Sequence, residues 1–170
     1  MAKSLPESID LNSAVRKEWL LKGALLFSDL DRMPAELISS MDALIKYEIL
    51  FRQAKCGLGE AIIRIDSKLE LTCQRSLEAF EFVLQTSNTV GFISKMEDEA
   101  ELEPHVSPSW VEGLQVDPKA LLEDEILLLI PDIPVKPGAE LDGQYLADHD
   151  DEVADEEIEN NPFAALKDLK

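Results

Sequence analysis

The stretch from Leu69 to Phe82, LELTCQRSLEAFEF, contains two alternating apolar segments that meet at a turn. Before the turn, apolar residues alternate with charged ones, which is typical of a half-buried β-strand. The residues expected to point inward on this side are Ile63, Ile65, Leu69, Leu71 and Cys73. After the turn, Phe80, Phe82 and Leu84 repeat the pattern, and Arg75 lies near the tip of the reversal. The pattern predicts a β-hairpin.

The first thirty residues predict a short helix and a strand. Asp10 or Ser13 is a suitable N-cap for a helix that reaches about Trp19. Residues 20–27 are predicted to form a strand, in which Gly23 permits a bulge or a close backbone approach.

The segment that leads into the hairpin predicts a second helix and two further strands. Residues 31–45 carry apolar side chains at three- and four-residue spacing, with Pro34 in the first turn, so we expect a helix there. Residues 46–52 return to period two, and residues 60–73 form the first arm of the hairpin. Together with the second arm, these strands predict a three-stranded antiparallel meander.

After the hairpin, residues 95–116 are predicted to be a loop or an insertion at the sheet edge, from which Trp110 begins a short strand. Asp117 and Pro118 form a good cap and first-turn pair for a helix that Pro131 ends. The second half of this helix is apolar on nearly every side, so we expect it to be buried and Leu128→Asp to unfold the protein. The predicted fold class is α+β, an antiparallel sheet packed by helices on one face, within a single domain over residues 1–137.

The acidic residues are distributed unevenly along the chain. The protein has 170 residues and a formal net charge of −19. Residues 1–95 hold 12 basic and 13 acidic side chains, whereas residues 96–170 hold 4 and 22. This asymmetry predicts a nearly neutral folded part and an acidic region that repels phosphate and attracts basic proteins. The alternative is that the acidic residues serve only solubility and disorder.

The C-terminal residues predict two further segments. Residues 138–160 are mostly acidic and are expected to be a flexible tether. Residues 161–170, NPFAALKDLK, are predicted to be a short helix or docking segment with Phe163 and Leu166 on one side. This segment either docks into a groove on a partner or folds back onto its own sheet.

Three segments, taken in order, point to a family. They are the hairpin with Cys73 and Arg75, the sequence EDEILLLIP at 123–131, and the NPFAALKDLK ending. With the early strand around Gly23, they resemble the YceD family of bacterial large ribosomal RNA subunit accumulation proteins. The resemblance implies a role in the accumulation of large-subunit ribosomal RNA, with no enzymatic reaction attached to it. Many members carry Cys-x-Arg-Cys at the turn, whereas this chain has Ser76 in the fourth position.

Neither a metal site nor a catalytic site is predicted. A structural zinc site usually needs four closely arranged ligands, and Ser76 leaves Cys73 without a neighbouring cysteine. Cys56, His105 and His149 are scattered, so no cofactor is expected and Cys73 is interpreted as a small buried residue. The acidic run at 123–125 fans out around its helix and is assigned to the helix dipole. We expect the protein not to be an enzyme, although a hydrolase is the third class to test.

Basic residues predict a second possible activity. The outward side of the sheet carries lysines and arginines interleaved with acids, which is typical of an ordinary solvated ladder of charges. Alternatively, Arg75, Arg52 and Lys55 form a small patch near the loops that contacts RNA phosphates.

The function predicted from the family resemblance is ribosome biogenesis. We expect a non-enzymatic factor that supports synthesis, processing or accumulation of large-subunit (23S) ribosomal RNA by binding a ribosomal protein or a pre-ribosomal RNA–protein intermediate. The alternative is a direct RNA-binding module that acts through the Arg75 loop. The N-terminus lacks the apolar region of a secretory signal and no long apolar run follows, so we expect a cytoplasmic protein without a membrane partner. Since no catalytic motif is found, no small-molecule substrate is expected either.

Overall fold

The computed structural model describes residues 5–139, except for the side chains of Met96 and Glu97. The described elements, in chain order, are β1 (Ile9–Asp10), α1 (Leu11–Arg16), β2 (Leu20–Leu26), β3 (Ile38–Ser40), β4 (Leu44–Arg52), β5 (Gly59–Thr72), β6 (Ala79–Ile93), α2 (Met96–Glu99), β7 (Val106–Trp110), β8 (Gln115–Val116) and α3 (Pro118–Leu129). The chain divides after Pro137, and all of these elements belong to the first unit. Apart from Gly138 and Ala139, the predicted tether and terminal segment lie outside the described residues.

The main sheet is arranged in the order β2-β4-β5-β6-β7. Its neighbours are antiparallel except for β6 and β7, which run parallel. Strands β5 and β6 have 14 and 15 residues and pair along their whole length as the predicted hairpin. Strand β4 reaches only the first half of β5, and β3 pairs with the end of β5 that β4 leaves open. A separate two-stranded ribbon joins β1 to β8.

One face of the sheet, here called the inner face, carries the core. Alternation along β4 and β5 buries Ile45, Ile49 and Phe51 on one strand and the predicted inward residues on the other. Helices α1 and α3 contribute apolar residues to the same cluster, among them Leu11, Leu122 and Ile126. The opposite face, here called the outer face, carries the charged residues of these strands. The α+β class with a mostly antiparallel sheet is therefore confirmed.

Gly23 explains how the edge strand packs on its neighbour. A Cβ atom at this position would lie 2.7 Å from the hydroxyl oxygen of Tyr47, its cross-strand partner. The missing side chain lets the Tyr47 ring lie across the edge strand, so a side chain approaches Gly23 closely, where a bulge or a close backbone approach was predicted.

The helix predicted over residues 31–45 is wrong. The chain there forms a 3-10 turn at Ala35–Leu37, then β3, and then enters β4 at Leu44. Of the apolar residues that suggested a helix, Ile38 and Ile45 are buried, whereas Leu44 is exposed. Strand β5 extends beyond β4 and needs hydrogen-bond partners there, and Ile38 supplies them opposite Leu71. Pairing with a distant strand thus overrides the local helical pattern.

The loop predicted over residues 95–116 contains secondary structure. It holds α2, β7 and β8, and Trp110 ends a strand instead of beginning one. The parallel pairing of β7 with β6 had no signal in the sequence, because Pro108 and the surrounding acids obscure any alternation. The first helix also ends at Arg16, before the predicted Trp19, although its Asp10 cap is confirmed by a hydrogen bond from the Ser13 N–H at 2.8 Å.

Helix α3 has the predicted cap and end, but one prediction about its faces is wrong. Asp117 accepts hydrogen bonds from the N–H groups of Lys119 and Ala120, and the helix ends at Leu129. Leu128 is 78% exposed, on the same side of the helix as exposed Asp124. The helix therefore buries only one side, and Leu128→Asp places a carboxylate in water instead of in the core.

Candidate functional site

The three basic residues predicted to form one patch lie at opposite ends of the hairpin. Arg52 is paired across from Glu60, at the start of β5, and Lys55 lies in the turn just before it. Arg75 follows Thr72, at the other end of the same strand. Twelve residues of extended strand separate the two positions by roughly 40 Å. The structure therefore brings Arg52 and Lys55 together and leaves Arg75 apart from both.

Arg52 and Lys55 are both engaged by carboxylates. The Arg52 guanidinium forms an ion pair with Glu60, and the Lys55 ammonium forms one with Glu103. The hydrogen bond to Glu103 raises the pKa of Lys55, and the same contact lowers the pKa of Glu103. These pairs place a negative charge beside each cation, which weakens their attraction for RNA phosphate.

The tip of the hairpin is held by the segment that follows α3. Within the turn, the Cys73 N–H donates to the Glu78 carbonyl at 2.9 Å. The Gln74 N–H donates to the carbonyl of Pro134 at 2.8 Å, and the Lys136 ammonium lies 3.0 Å from the Glu78 carboxylate. Arg75 is exposed beside these contacts. The tip is thus a composite of residues 73–78 and 134–136, which sequence reasoning treated separately.

Cys73 is buried, as predicted, and its sulfur also accepts hydrogen bonds. Its Sγ accepts hydrogen bonds from the N–H groups of Ser76 and Lys136, both at 3.4 Å. The Ser76 side chain, followed by these N–H groups, lowers the pKa of Cys73 to about 6. Hydrogen bonds to sulfur favour the thiolate. In this chain, Ser76 and Lys136 therefore supply donors around the sulfur.

The second cysteine lies far from the first. Cys56 sits in the turn before β5, where its thiol donates to the Glu101 carbonyl at 3.3 Å, and His105 is nearby, 3.6 Å from Glu103. Cys73 lies at the opposite end of β5. Within residues 5–139, no three His, Cys, Asp or Glu side chains are grouped so that they could hold a metal ion.

The outer face of the sheet carries a ladder of opposite charges. Glu48 lies between Lys22 and Arg64 on neighbouring strands and forms ion pairs with both. The hydrogen bond from Lys22 lowers the pKa of Glu48. These side chains line a groove of about 800 Å³ that also includes Lys46 and Asp66. This arrangement is the cross-strand ladder that the alternation predicts.

Two carboxylates of helix α3, those of Glu123 and Glu125, are buried. Glu123 accepts a hydrogen bond from the Asp31 N–H and one from Nε of Arg32, both at 2.7 Å. Burial raises the pKa of Glu123, but these hydrogen bonds outweigh it and the net shift is downward. Arg32 also contacts Asp124 at 2.7 Å. The loop before the 3-10 turn at Ala35–Leu37 is thereby joined to α3.

Glu125 faces a different partner. Nδ2 of Asn88, on the inner face of β6, lies 2.9 and 3.1 Å from the two carboxylate oxygens of Glu125. Burial raises the pKa of Glu125, and the Asn88 hydrogen bond offsets part of that shift. Assigning residues 123–125 to the helix dipole was wrong, because the first turn of α3 contains no acid. The sequence spacing does indicate that Glu125 is buried, because it stands four residues after Leu121 and four before Leu129, on the apolar side of the helix.

Phe163 and Leu166, the two apolar residues proposed for docking, lie outside the described residues. Their role stays a prediction.

The fold and these surfaces define a small α+β protein with a long hairpin, a charged outer face and two buried carboxylates. The model of the YceD family, described as large ribosomal RNA subunit accumulation protein, matches residues 62–170, which is more than half of the chain. The chain therefore belongs to the YceD family. The match begins in β5 and includes β6 and α3, whereas Gly23 and its strand precede it.

Two other comparisons add no relatives. Neither the curated proteins nor the solved structures contain a match to this chain. In the described part, no helix is long and apolar enough to cross a membrane.

Proposed function

We propose that this protein supports the accumulation of large-subunit (23S) ribosomal RNA without catalysing a reaction, by binding a basic ribosomal protein or a pre-ribosomal RNA–protein intermediate. Membership of the YceD family supports the connection to large-subunit RNA. The charge of the chain supports the choice of partner, because a net charge of −19 repels phosphate and attracts cationic protein segments.

The observation that carries this proposal is the pairing of the protein's own cations. Most basic side chains within residues 5–139 already have a carboxylate partner. They are Lys22, Arg32, Arg52, Lys55, Arg64, Lys68, Lys119 and Lys136. The acids outnumber the bases in this part, so further exposed carboxylates remain for a partner. Such a surface favours lysine- and arginine-rich segments over nucleic acid.

The outer face near the hairpin tip is the best local candidate for that contact. Glu70 on β5 lies directly opposite Glu81 on β6, a like-charge pair that disfavours the sheet. Lys68 neutralises Glu81 at 2.9 Å, but Glu70 has no ion pair among the described residues. A basic side chain from a partner placed between Glu70 and Glu81 would relieve this repulsion. We therefore propose that Glu70 contacts the partner.

Charge reversal at Glu70 tests the proposal while protecting the fold. Glu70→Lys creates an opposite-charge pair with Glu81, so the variant should be at least as stable as the wild type. It should nevertheless weaken partner capture, and a strain that carries it should accumulate less mature large-subunit than small-subunit ribosomal RNA. Glu36→Lys, a reversal at an exposed acid in the 3-10 turn Ala35–Leu37, serves as the matched control. Normal ribosomal RNA ratios in a deletion strain would remove the family-based part of the proposal.

Direct RNA binding through the Arg75 loop is the second candidate. The observation in its favour is that Arg75 is exposed in the turn that joins the two longest strands. Pull-down with the full chain before and after nuclease treatment separates the two candidates. Loss of every partner after nuclease, with a defect in Arg75→Glu and none in Glu70→Lys, would favour the RNA-binding module. Retention of a basic protein after nuclease would favour the first proposal.

A further inference from the structure

Strand β2 leaves one side of its backbone without partners. It lies at the end of the main sheet and pairs only with β4. Hydrogen bonds from Phe51 N–H to Trp19 O and from Phe27 N–H to Ala43 O show that the odd-numbered residues face β4. The N–H and C=O groups of Leu20, Lys22 and Ala24 therefore point away from the sheet, and within residues 5–139 they have no partner. Leu26 N–H also points away but donates to Asp29 at 3.1 Å.

This edge lacks the features by which proteins usually protect exposed strands. Proline, short length and several charges normally discourage edge-to-edge pairing. The opposite edge, β7, has five residues and contains Pro108. In contrast, β2 has seven residues, no proline and a single charge, on Lys22. Its two ends carry exposed leucines, with Leu20 57% and Leu26 42% exposed.

An apolar groove runs beside the first half of this edge. It measures about 540 Å³ and is lined by Leu5, Pro6, Trp19, Leu20, Leu21, Lys22 and Tyr47. An open strand edge next to an apolar groove is the arrangement that receives an added strand, because the backbone supplies hydrogen bonds and the groove takes alternate side chains.

We propose that the strand added to this edge is β2 of a second copy of the chain, antiparallel and centred on Gly23. In this register each Leu20 lies opposite Leu26 of the other copy, so the two exposed leucines cover each other. Leu21 lies opposite Leu25 of the second copy, which directs that side chain toward the groove. At the centre of the contact Gly23 lies opposite Gly23 of the other copy, so neither strand places a side chain of its own there. The sequence of β2 is therefore complementary to itself.

The neighbouring register explains why the contact is centred on Gly23. Centring on Lys22 would form equally many main-chain hydrogen bonds, but it would place Lys22 directly against Lys22 of the other copy. The register at Gly23 places Lys22 opposite Ala24 instead. Because both copies carry a net charge of −19 and the contact is small, the dimer should be weak and should strengthen as salt screens the repulsion.

Sedimentation equilibrium of the full chain over a range of concentrations, at low and high salt, tests this contact. Ala24→Pro removes an N–H that points outward, so it leaves the hydrogen bonds to β4 intact. It should weaken the dimer roughly ten- to thirtyfold, because two symmetric hydrogen bonds are lost. Ala24→Val keeps the N–H and serves as the matched control, with circular dichroism to verify the fold of both. A monomer at every concentration, or an Ala24→Pro variant that dimerises like the wild type, would overturn the proposal and assign the edge to a strand of another protein.

Crosslinking checks the register independently. A short bismaleimide should link Leu20→Cys chains to Leu26→Cys chains more efficiently than either variant to itself. Cys56 and Cys73 are present in both variants and in the wild type, so unmodified protein gives the background. Equal yields for all combinations would contradict the register centred on Gly23.

Discussion

The two faces of the sheet use carboxylates in opposite ways. On the inner side, Glu123 and Glu125 are only 4% and 6% exposed and each depends on a small number of defined hydrogen bonds. On the outer face, Glu48 and Glu81 pair with lysines in contact with water. Removing a charge from water is costly unless a partner compensates, whereas a solvated pair contributes little. Changes at the inner carboxylates should therefore alter stability strongly, in either direction, whereas changes at the solvated outer pairs should alter it little.

The largest effect should come from adding a charge to the inner side. Ile126 is fully buried, so Ile126→Asp forces an unpaired carboxylate into the core and should cost about 4 kcal/mol or more. Leu128→Asp, two residues further along the same helix, should change the free energy of unfolding by less than about 0.5 kcal/mol because Leu128 is exposed. Urea unfolding of both variants measures the difference. Equal costs would mean that α3 does not pack by the side described above.

Removing the partner of a buried carboxylate should have the next largest effect. Arg32→Ala leaves Glu123 buried without its cation and should cost about 2–3 kcal/mol, at the low end for buried pairs because Arg32 itself is half exposed. Lys119→Ala, which removes the partner of the exposed Asp31, is the control and should cost much less. A loss at Arg32 no greater than that at Lys119 would show that Glu123 gains little from its pair.

Neutralising Glu125 should stabilise the protein modestly at neutral pH, because burial disfavours its charged form. Because burial raises the folded-state pKa of Glu125, the stability linked to this group is fully present below its unfolded pKa and is lost as the pH rises through the folded one. Glu125→Gln keeps the size of the side chain and its hydrogen bond from Asn88, but it cannot ionise, so the variant does not lose this stability as the pH rises. Unfolding measured between pH 4 and 7 should show the variant gaining on the wild type as the pH rises. A constant difference would indicate that Glu125 does not titrate with a raised pKa.

The smallest effect is expected on the outer face. Lys68→Ala removes the partner of Glu81, but both side chains are in water, so the melting temperature should change by about one degree or less. Thermal unfolding at low and high salt measures it. A large, salt-dependent loss would mean that the ladder of charges contributes substantially to the stability of the sheet.

The hairpin and the segment over residues 31–45 show what a local pattern can and cannot establish. The alternation of residues 63–84 predicts strands β5 and β6 because each strand has one buried and one solvated face, which is visible residue by residue. Residues 31–45 follow a helical pattern equally well, but β3 forms there because β5 has an open stretch beside it. Arg75 lies apart from Arg52 and Lys55 for a similar reason: Arg52 and Arg75 both border turns, and only the length of β5 places those turns at opposite ends.

Two kinds of feature could be predicted from the sequence: those that depend on near neighbours in the chain and those that depend on composition or on resemblance along the whole chain. These are the hairpin, the Asp117 cap and end of α3, the burial of Cys73, the division of charge along the chain and the resemblance to the YceD family. Other features emerge only in the folded chain: Arg32 compensates Glu123, the Lys136 N–H reaches Cys73 and β2 presents an open edge. These contacts join residues far apart in sequence. Their existence depends on how strands and helices are placed in space, which no local periodicity encodes.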